Sequence, residues 1–387
     1  MKRFAMKGKR RWRAALVVAI LAVSTLPAAA SAEMSPKAPR EFGAMTQNLY
    51  LGANLDPLFG ATGADLIIAA AEIYDHMLQV DFPERAEAIA ALVAEEEPDV
   101  IGLQEVALWN KLQVTADGSW EIVETTDYLT LLVDALAAEG VPYRVAAVNE
   151  NFSNTAFPLP ITFDLQSAAT LTMRDAILVR DGLPDSQLRV LGSASGNYAA
   201  TTLVPSPGDP TTPLPVLRGW SYIDVKIRGK EYRFVNTHLE AFSTFACDAS
   251  GGPSLAAPFV RSRQATELVD MLAGSPNPVV LSGDLNAAPD EPCDAMAIFY
   301  GAGFLDAWAV AMPGIPAHTA GQTDDLDNDP SQLDHQVDYV LYDTPSMLNS
   351  VAGSGEILGD EPEDRTPSGL WPSDHAGLYV TMHIAKP

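Results

Sequence analysis

Several apolar segments of the sequence end in a polar residue that can carry chemistry, and this recurring pattern constrains the fold most. The segment "EFGAMTQN" ends at Asn48, "DVIGLQEV" carries Glu105, and "RFVNTHLE" carries His238. The segment "VVLSGDLN" presents Asp284 and Asn286. Short apolar runs of this kind are typical of buried strands. Because strand ends gather at one rim of a sheet, where ligand sites form, we expect these side chains to lie together.

Two late segments extend the pattern. Asp338 lies in "HQVDYVLYD", and Asp374 and His375 directly precede the segment "AGLYVTMHI". Because side chains alternate with a period of two along a strand, we expect Asp284 and Asn286 to face the same side. Carboxylate and carboxamide oxygens suit hard cations, whereas histidines suit proton transfer or phosphate binding. The set therefore predicts a divalent-metal site with acid–base groups beside it.

Strand-like and helical segments are mixed along the chain, with both hairpins and crossovers. A hairpin is predicted to turn at Arg228-Gly229-Lys230. Periodicity and end signals predict helices over 83–99, 127–140 and 257–274, and strands over 41–52, 99–106 and 143–150. This mixture favours an α/β sandwich with mixed sheets. The segments 151–163 and 205–215, the second with five prolines, are expected to be long loops, and the second to be irregular.

Residues 1–32 have the organisation of a secretory signal peptide. A basic start precedes an apolar core at 14–26, and "ASA" at 30–32 matches a cleavage pattern. The core is shorter than the ~20 residues that a membrane span needs. We therefore expect cleavage near Ala32 and a secreted or periplasmic mature chain without a transmembrane segment. Residues 33–387 are expected to form a single domain.

Charge and cysteine content bound the partners and the redox setting. The formal net charge is −26, and removal of the seven basic residues of 1–32 takes it to −33. Such a charge repels long polyanions, and the basic stripe of a duplex-binding protein is missing from the sequence, so tight binding of duplex DNA is not expected. Cys247 and Cys293 are an even pair in an exported chain and predict a disulfide, with two free thiols as the alternative.

Seven short blocks then occur in one order over roughly residues 43–384. They are "TQNLY", "IGLQEV", "RDAILVR", "VNTHLE", "SGDLNAAPD", "QVDYVL" and "WPSDHAG". In this order they resemble the endonuclease/exonuclease/phosphatase superfamily, which includes deoxyribonucleases, abasic-site endonucleases and neutral sphingomyelinases, here of a secreted bacterial type. The resemblance implies an α/β fold, a four-layer α-β-β-α sandwich with two packed mixed β-sheets.

The resemblance also implies a reaction. The expected activity is divalent-metal-dependent hydrolysis of a phosphoester, in the first place a phosphodiester, by in-line attack of water on phosphorus. The substrate class stays open between nucleic acid, nucleotide and phospholipid. A sphingomyelinase-type lipid phosphodiesterase and a non-catalytic binding module that retains the fold are the two alternatives.

Roles follow for the residues that match the blocks. Glu105 is expected to bind the metal with Asn48 beside it and Asp374 close by. The expected ion is Mg²⁺, with Mn²⁺ or Ca²⁺ as alternatives. Asp284 would orient or deprotonate the attacking water, and Asn286 would donate a hydrogen bond to a phosphoryl oxygen.

The basic residues of the matching blocks have expected roles at the phosphate. His375 would act there, with Asp338 fixing its tautomer and raising its basicity. His238 would hold a second phosphate oxygen or assist the leaving group. Arg174, in "TMRDAIL", is a looser match to a phosphate-contacting arginine, and a surface pair with Asp175 is the alternative.

Some polar residues are left without a catalytic role. The acidic segment "TDDLDNDPSQLD" spaces three aspartates like the start of a calcium loop but lacks its glycine and distant glutamate, so it predicts a solvated loop. Histidines 76, 318, 335 and 383 receive no role. Gln336-Val337 and Leu285 stand where the family more often has arginine and phenylalanine.

Overall fold

The computed structural model of the chain describes residues 40–241, 260–290, 294–344 and 348–384. The predicted signal peptide at 1–32 lies outside the described residues, and so do Cys247 and Cys293. The described residues belong to one compact unit. No helix among the described residues is both long and apolar enough to cross a membrane.

Seventeen strands are described in chain order. They are β1 (Glu41–Asn48), β2 (Val100–Gln104), β3 (Leu108–Val114), β4 (Trp120–Asp127), β5 (Tyr143–Ser153), β6 (Leu159–Pro160), β7 (Ser167–Arg180), β8 (Leu188–Asn197), β9 (Thr202–Ser206), β10 (Asp209–Val216), β11 (Gly219–Ile227), β12 (Lys230–His238), β13 (Val279–Asp284), β14 (Leu305–Asp306), β15 (Asp338–Tyr342), β16 (Leu348–Leu358) and β17 (Gly377–Ile384).

The helices are fewer and stand mostly between strands. They are α1 (Gly63–Gln79), α2 (Phe82–Glu96), α3 (Tyr128–Ala138), α4 (Val260–Leu272), α5 (Ala295–Gly301) and α6 (Ala307–Ala311). Capping explains where two of them begin. Asp81 accepts a hydrogen bond from the Glu84 amide at the start of α2, and Asp127 accepts one from the Leu129 amide at the start of α3. Predicted helices 83–99, 127–140 and 257–274 thus correspond to α2, α3 and α4.

The strands form two large mixed sheets. The first has the order β16-β17-β1-β2-β7-β3-β4, with β5 and β6 also paired to β7. The second has the order β14-β15-β13-β12-β11-β8. Each sheet has a parallel pair inside it, β1 with β2 in the first and β12 with β13 in the second, while the neighbours of these pairs run antiparallel.

Alternate side chains of the inner strands pack into different layers. In β1, Phe42 and Ala44 pack between the two sheets, whereas Met45 packs against α1 and α2. In β13, Val280 faces the sheet interface and Leu281 faces α4 and α5. The period of two therefore produces three apolar cores separated by two sheets. This arrangement confirms the predicted α/β sandwich of four layers with two packed mixed sheets.

Three parts of the fold differ from expectation. The proline-rich segment 205–215 is not irregular, because it lies in a two-stranded antiparallel sheet formed by β9 and β10. Among the described strands, β9 and β10 pair only with each other. Each strand therefore has one unpaired edge, and a proline, which lacks an N–H, can face that edge without breaking the ladder. In the segment 151–163, residues 151–153 extend β5 and Leu159–Pro160 form β6. Helix α1, which was not predicted, covers the first sheet.

Candidate active site

The polar strand ends meet at one rim where the two sheets face each other. Asn48 ends β1, and His238 and Asp284 end the parallel pair β12 and β13. The register places His238 beside Asp284 and Asp284 beside Asp338. Strands β15 and β17 run antiparallel to their neighbours, so their beginnings lie at the same rim. The topology thus brings together residues that are far apart in sequence.

Asp284 is the centre of this cluster. Its side chain is buried and accepts hydrogen bonds from the Asn48 amide nitrogen at 3.0 Å and the Asn286 backbone amide at 2.9 Å. The Nε2 atoms of His238 and His375 lie 3.5 and 3.9 Å from its Oδ2. Burial and, next, the nearby Asp338 carboxylate raise the pKa of Asp284 to about 6. Asp284 is therefore more basic than an ordinary aspartate.

The position of Asn286 has a different cause from the one expected. Strand β13 ends at Asp284, and Asn286 has a left-handed backbone with φ of 49°. The period of two therefore does not extend to Asn286, and that expectation is wrong. The turn instead directs its backbone amide to Asp284, while its side-chain amide donates to the Leu239 carbonyl at 3.0 Å. The other side-chain N–H can still donate to a ligand.

His375 and Asp338 form a close pair. The His375 Nδ1 lies 2.8 Å from Asp338 Oδ2, which directs Nε2 toward Asp284. Burial alone would lower the pKa of His375, but Asp338, Asp374 and Asp284 together raise it well above the ordinary 6.5. The second oxygen of Asp338 is buried without a hydrogen-bond partner among the described residues. This oxygen of Asp338 can therefore accept a hydrogen bond or bind a cation.

A second acidic group lies on the other side of the rim. Glu105 directly follows β2, has a left-handed backbone with φ of 54°, and accepts a hydrogen bond from the Leu51 amide at 2.8 Å. Burial, and then repulsion from Glu105, raise the pKa of Asp374 to about 7 against the opposing effect of His375. Two carboxyl groups that repel each other in a partly buried site suit a bound cation.

The residues present fit a divalent metal in two places. The first place is formed by Glu105 and Asp374, which the sequence predicted as metal-binding residues together with Asn48. In the structure, the side chain of Asn48 lies beside Asp284. Asp284, Asp338 and His375 also offer ligand atoms that all lie within 4.8 Å of one another. Both places share hard oxygen donors, which suit Mg²⁺ or Mn²⁺.

Arg218 is a member of the site that the sequence analysis missed. Its Nη1 lies 3.1 Å from both ring nitrogens of His238, and its Nη2 lies 3.9 Å from Glu240. Burial first, and then the Arg218 charge and His375, lower the pKa of His238 well below its ordinary value. His238 is therefore neutral, and Arg218 supplies the positive charge at this end of the rim.

A signal for Arg218 was present in the sequence. The predicted turn at Arg228-Gly229 fixes the hairpin register, which pairs Ile227 with Lys230 and, at the far end, Gly219 with His238. Counting along the hairpin would have placed Arg218 next to the predicted catalytic histidine.

Arg174 is placed beside the site but is already engaged. Its guanidinium donates to the carbonyls of Val106 and Ala107 and lies 2.5 Å from Asp127. The alternative of a surface pair with Asp175 is wrong, because Asp175 is buried and accepts a hydrogen bond from Asn151. Arg174 thus holds the segment that follows Glu105. The three spaced aspartates 325, 327 and 329 are exposed, as a solvated loop requires.

Two solved structures illustrate what the chain is similar to. The endonuclease/exonuclease/phosphatase from Bacteroides vulgatus is similar with a TM-score of 0.50 and 15% identity, over 89% of this chain and 99% of that chain. Truncated Caenorhabditis elegans TDP2 is similar with a TM-score of 0.47 and 19% identity, over 89% of this chain and 97% of that chain. No curated protein sequence matches the chain significantly.

The Endonuclease/Exonuclease/phosphatase family comprises metal-dependent phosphoester hydrolases. The sequence model of this family matches residues 45–375, a range that includes every strand end described above. Because this match covers most of the chain, the chain belongs to the Endonuclease/Exonuclease/phosphatase family.

Proposed function

We propose that the protein is a secreted, divalent-metal-dependent phosphodiester hydrolase. The observation that carries this proposal is the arrangement around Asp284, whose carboxylate faces His238 and His375 and is oriented by Asn48 and the Asn286 amide. A buried carboxylate of raised pKa, held by donors on one side and open toward histidines on the other, suits a general base for water.

Each residue of the site has its own role in an in-line displacement at phosphorus. Asp284 orients the attacking water and takes its proton. The His375 imidazolium, oriented by Asp338, donates a hydrogen bond to a phosphoryl oxygen and stabilises the charge that grows there. Arg218 adds positive charge at the opposite end, and neutral His238 donates to a second oxygen or assists the leaving group.

The acidic pair would hold the metal. Glu105 and Asp374 are its proposed ligands with Asn48 nearby, and Mg²⁺ is the proposed ion. A bound divalent cation supplies Lewis-acid neutralisation of the phosphate charge. The Asp284, Asp338 and His375 group is the second candidate position, and metal titration with variants at each place distinguishes them.

Activity and metal binding can be tested separately. Purified protein should hydrolyse bis(p-nitrophenyl) phosphate with Mg²⁺ or Mn²⁺ and stop with a chelator. Asp284→Asn and His375→Ala should each lower kcat by about 10²-fold or more, because each removes a group that acts on the reacting atoms. Activity that persists in chelator would contradict the metal mechanism, and a wild-type rate in either variant would contradict its assigned role.

Metal binding also has a readout that does not depend on turnover. Mg²⁺ that binds the folded chain should raise its melting temperature, by mass action. Glu105→Gln should abolish most of this shift, whereas Glu121→Gln, which changes an exposed glutamate on β4, should leave it intact. Equal shifts in both variants would remove Glu105 from the ligand set.

Export is a separate part of the proposal. It is supported by the basic start, apolar core and "ASA" pattern of residues 1–32. Protein recovered from outside the cytoplasm of an expressing bacterium should begin at Glu33. An intact N-terminus on exported protein, or retention in the cytoplasm, would overturn it.

A further inference from the structure

A mostly apolar cavity opens directly beside the proposed metal ligands. Its volume is about 350 Å³, and both Glu105 and Asp374 form part of its wall. Most of the remaining wall is hydrocarbon, including Ile73, Trp109 and Phe152. Volumes of this size hold small organic groups. The cavity therefore adjoins the proposed metal ligands.

Separate elements build the apolar wall. Helix α1 contributes Ile73, and the segment after β5 contributes Phe157, whose ring meets that of Phe152 edge-on with centroids 6.4 Å apart. The β9–β10 hairpin contributes Leu214. Hydrogen bonds between Gly60 and Pro205, and between Gly208 and Ala61, fix this hairpin to the segment before α1.

The exposure of the wall indicates that it is not simply an unfilled core. Phe157 is 45% exposed although it lines the cavity. Keeping an aromatic ring partly in water is unfavourable, and covering it with a ligand would recover about 25 cal/mol for each Å² removed from water. Apolar surface at the mouth of a reactive site thus favours an apolar ligand group.

The charged residues of the cavity wall further limit the kind of ligand that the cavity can bind. Arg218 is the sole cationic side chain among the described residues that line the cavity, whereas Asp56, Asp324, Glu105 and Asp374 are acidic. A ligand with several phosphates along its length would meet these carboxylates without cations to pair with. A phosphodiester with a single negative charge and an uncharged arm avoids that repulsion.

We propose that this cavity, beside Glu105 and Asp374, binds an uncharged hydrocarbon substituent of the phosphodiester that the site hydrolyses. This inference rests on the proposed function and names its substrate class. The substituent lies along Phe157 and Leu214. The cavity does not take part in the chemistry and acts on substrate choice.

A matched substrate series tests the inference. Methyl, butyl and hexyl esters of p-nitrophenyl phosphate keep the leaving group constant and change only the other arm. With saturating Mg²⁺, kcat/KM of the wild type should rise by at least about tenfold from the methyl to the hexyl ester, because buried methylenes each add binding energy.

Matched variants place the preference in the cavity. Phe157→Ser and Leu214→Ser should each lower the hexyl-to-methyl ratio of kcat/KM by about threefold or more, because each replaces apolar wall with a polar side chain. Phe163→Ser and Leu203→Ser are the controls, since both residues are exposed, lie near the first two in the chain and do not line the cavity. The controls should keep the wild-type ratio.

The outcomes separate the two proposals. Hydrolysis of all three esters with a flat ratio, or equal ratios in cavity and control variants, would overturn the inference and leave the proposed function standing. Faster hydrolysis of an oligonucleotide than of the hexyl ester would also overturn it. If no ester is hydrolysed, the proposed function fails, and calorimetry with inert methyl hexylphosphonate then tests the cavity by itself. Binding that is weakened by Phe157→Ser but not by Phe163→Ser supports the inference. Absence of binding overturns the inference.

Discussion

At the scale of the residue, one buried arginine holds together the segments that carry the site. Arg85 of α2 is fully buried and donates to the carbonyls of Val80, Leu49, Tyr50 and Pro372. Leu49 and Tyr50 directly follow Asn48, and Pro372 lies two residues before Asp374. Its guanidinium also stacks over the Phe82 ring. Arg85 thus fixes two strand ends relative to each other.

Removal of this guanidinium should cost much stability. Arg85→Met leaves up to four buried carbonyls without their donor, so we expect a loss of about 3–5 kcal/mol in the free energy of unfolding. Arg85→Lys should recover little, because an ammonium cannot span the same acceptors. Urea unfolding measures the loss. Arg144→Met is the control, since its side chain is 44% exposed, and an equal loss there would contradict the assignment.

Asp360 provides a pH-dependent test at the same scale. Burial, and then repulsion from Glu361, raise the pKa of Asp360 to about 6. A raised pKa means that the fold disfavours the ionised form. The cost in stability is therefore absent below the pKa of the unfolded chain, near 4. It grows as pH rises from about 4 to about 6 and is complete above the folded pKa of about 6.

Asp360→Asn should remove that penalty. We expect a gain of about 1 kcal/mol at pH 7.5, reduced from the full shift because solvent screens a partly exposed group, and almost no gain at pH 4. Thermal unfolding at both pH values measures it. Asp185→Asn, at an exposed loop position, should show no such dependence. A gain at pH 4 that equals the gain at pH 7.5 would refute the charge explanation.

At the scale of the element, the two sheets meet along a polar seam. Asn236 of β12 accepts from Gln104 at 2.6 Å and donates to the carbonyls of Leu103 and Ala176 in the first sheet. Gly102 of β2 faces this seam, and a Cβ there would collide with the side chains of Ser282 and Asn236. The absence of a side chain at Gly102 therefore lets the sheets approach.

A single methyl group at this seam should separate the sheets. We expect Gly102→Ala to lower the free energy of unfolding by about 2–3 kcal/mol, because the methyl group must displace hydrogen-bonded side chains. Gly192→Ala on β8 is the matched strand control, since nothing lies within 4 Å of its Cβ position. Urea midpoints compare the two, and a loss at Gly102 no larger than that at Gly192 would contradict the seam.

Prediction from sequence succeeded where a local pattern determined the structure. The apolar runs ending at Asn48, His238 and Asp284 identified strands, and sheet geometry required their ends to meet.

Prediction from sequence failed where the structure depended on how strands pair. The prolines of 205–215 suggested a loop because propensity describes one strand at a time, and whether a missing N–H matters depends on which edge is paired. Arg218 was missed because its place beside His238 follows from the register of the β11–β12 hairpin and not from the residues adjacent to it in sequence.

At the scale of the whole molecule, the negative charge should govern which substrates arrive. With a formal net charge of −26 for the full sequence, the protein repels a polyanion over distances comparable to the Debye length. A diester with one negative charge meets much less repulsion. The charge therefore complements the cavity, since both favour a small, singly charged substrate.

This repulsion predicts the sign of a salt effect. With Mg²⁺ held saturating, raising NaCl from about 20 to 200 mM should increase kcat/KM for a short oligonucleotide several-fold, because salt screens like charges during encounter. The value for methyl p-nitrophenyl phosphate should change little, and this ester serves as the control for effects of salt on the enzyme itself. A basic nucleic-acid surface would give the opposite slope, since counterion release makes salt weaken binding. A fall in oligonucleotide turnover with salt would therefore mean that a local cationic surface outweighs the charge of the whole chain.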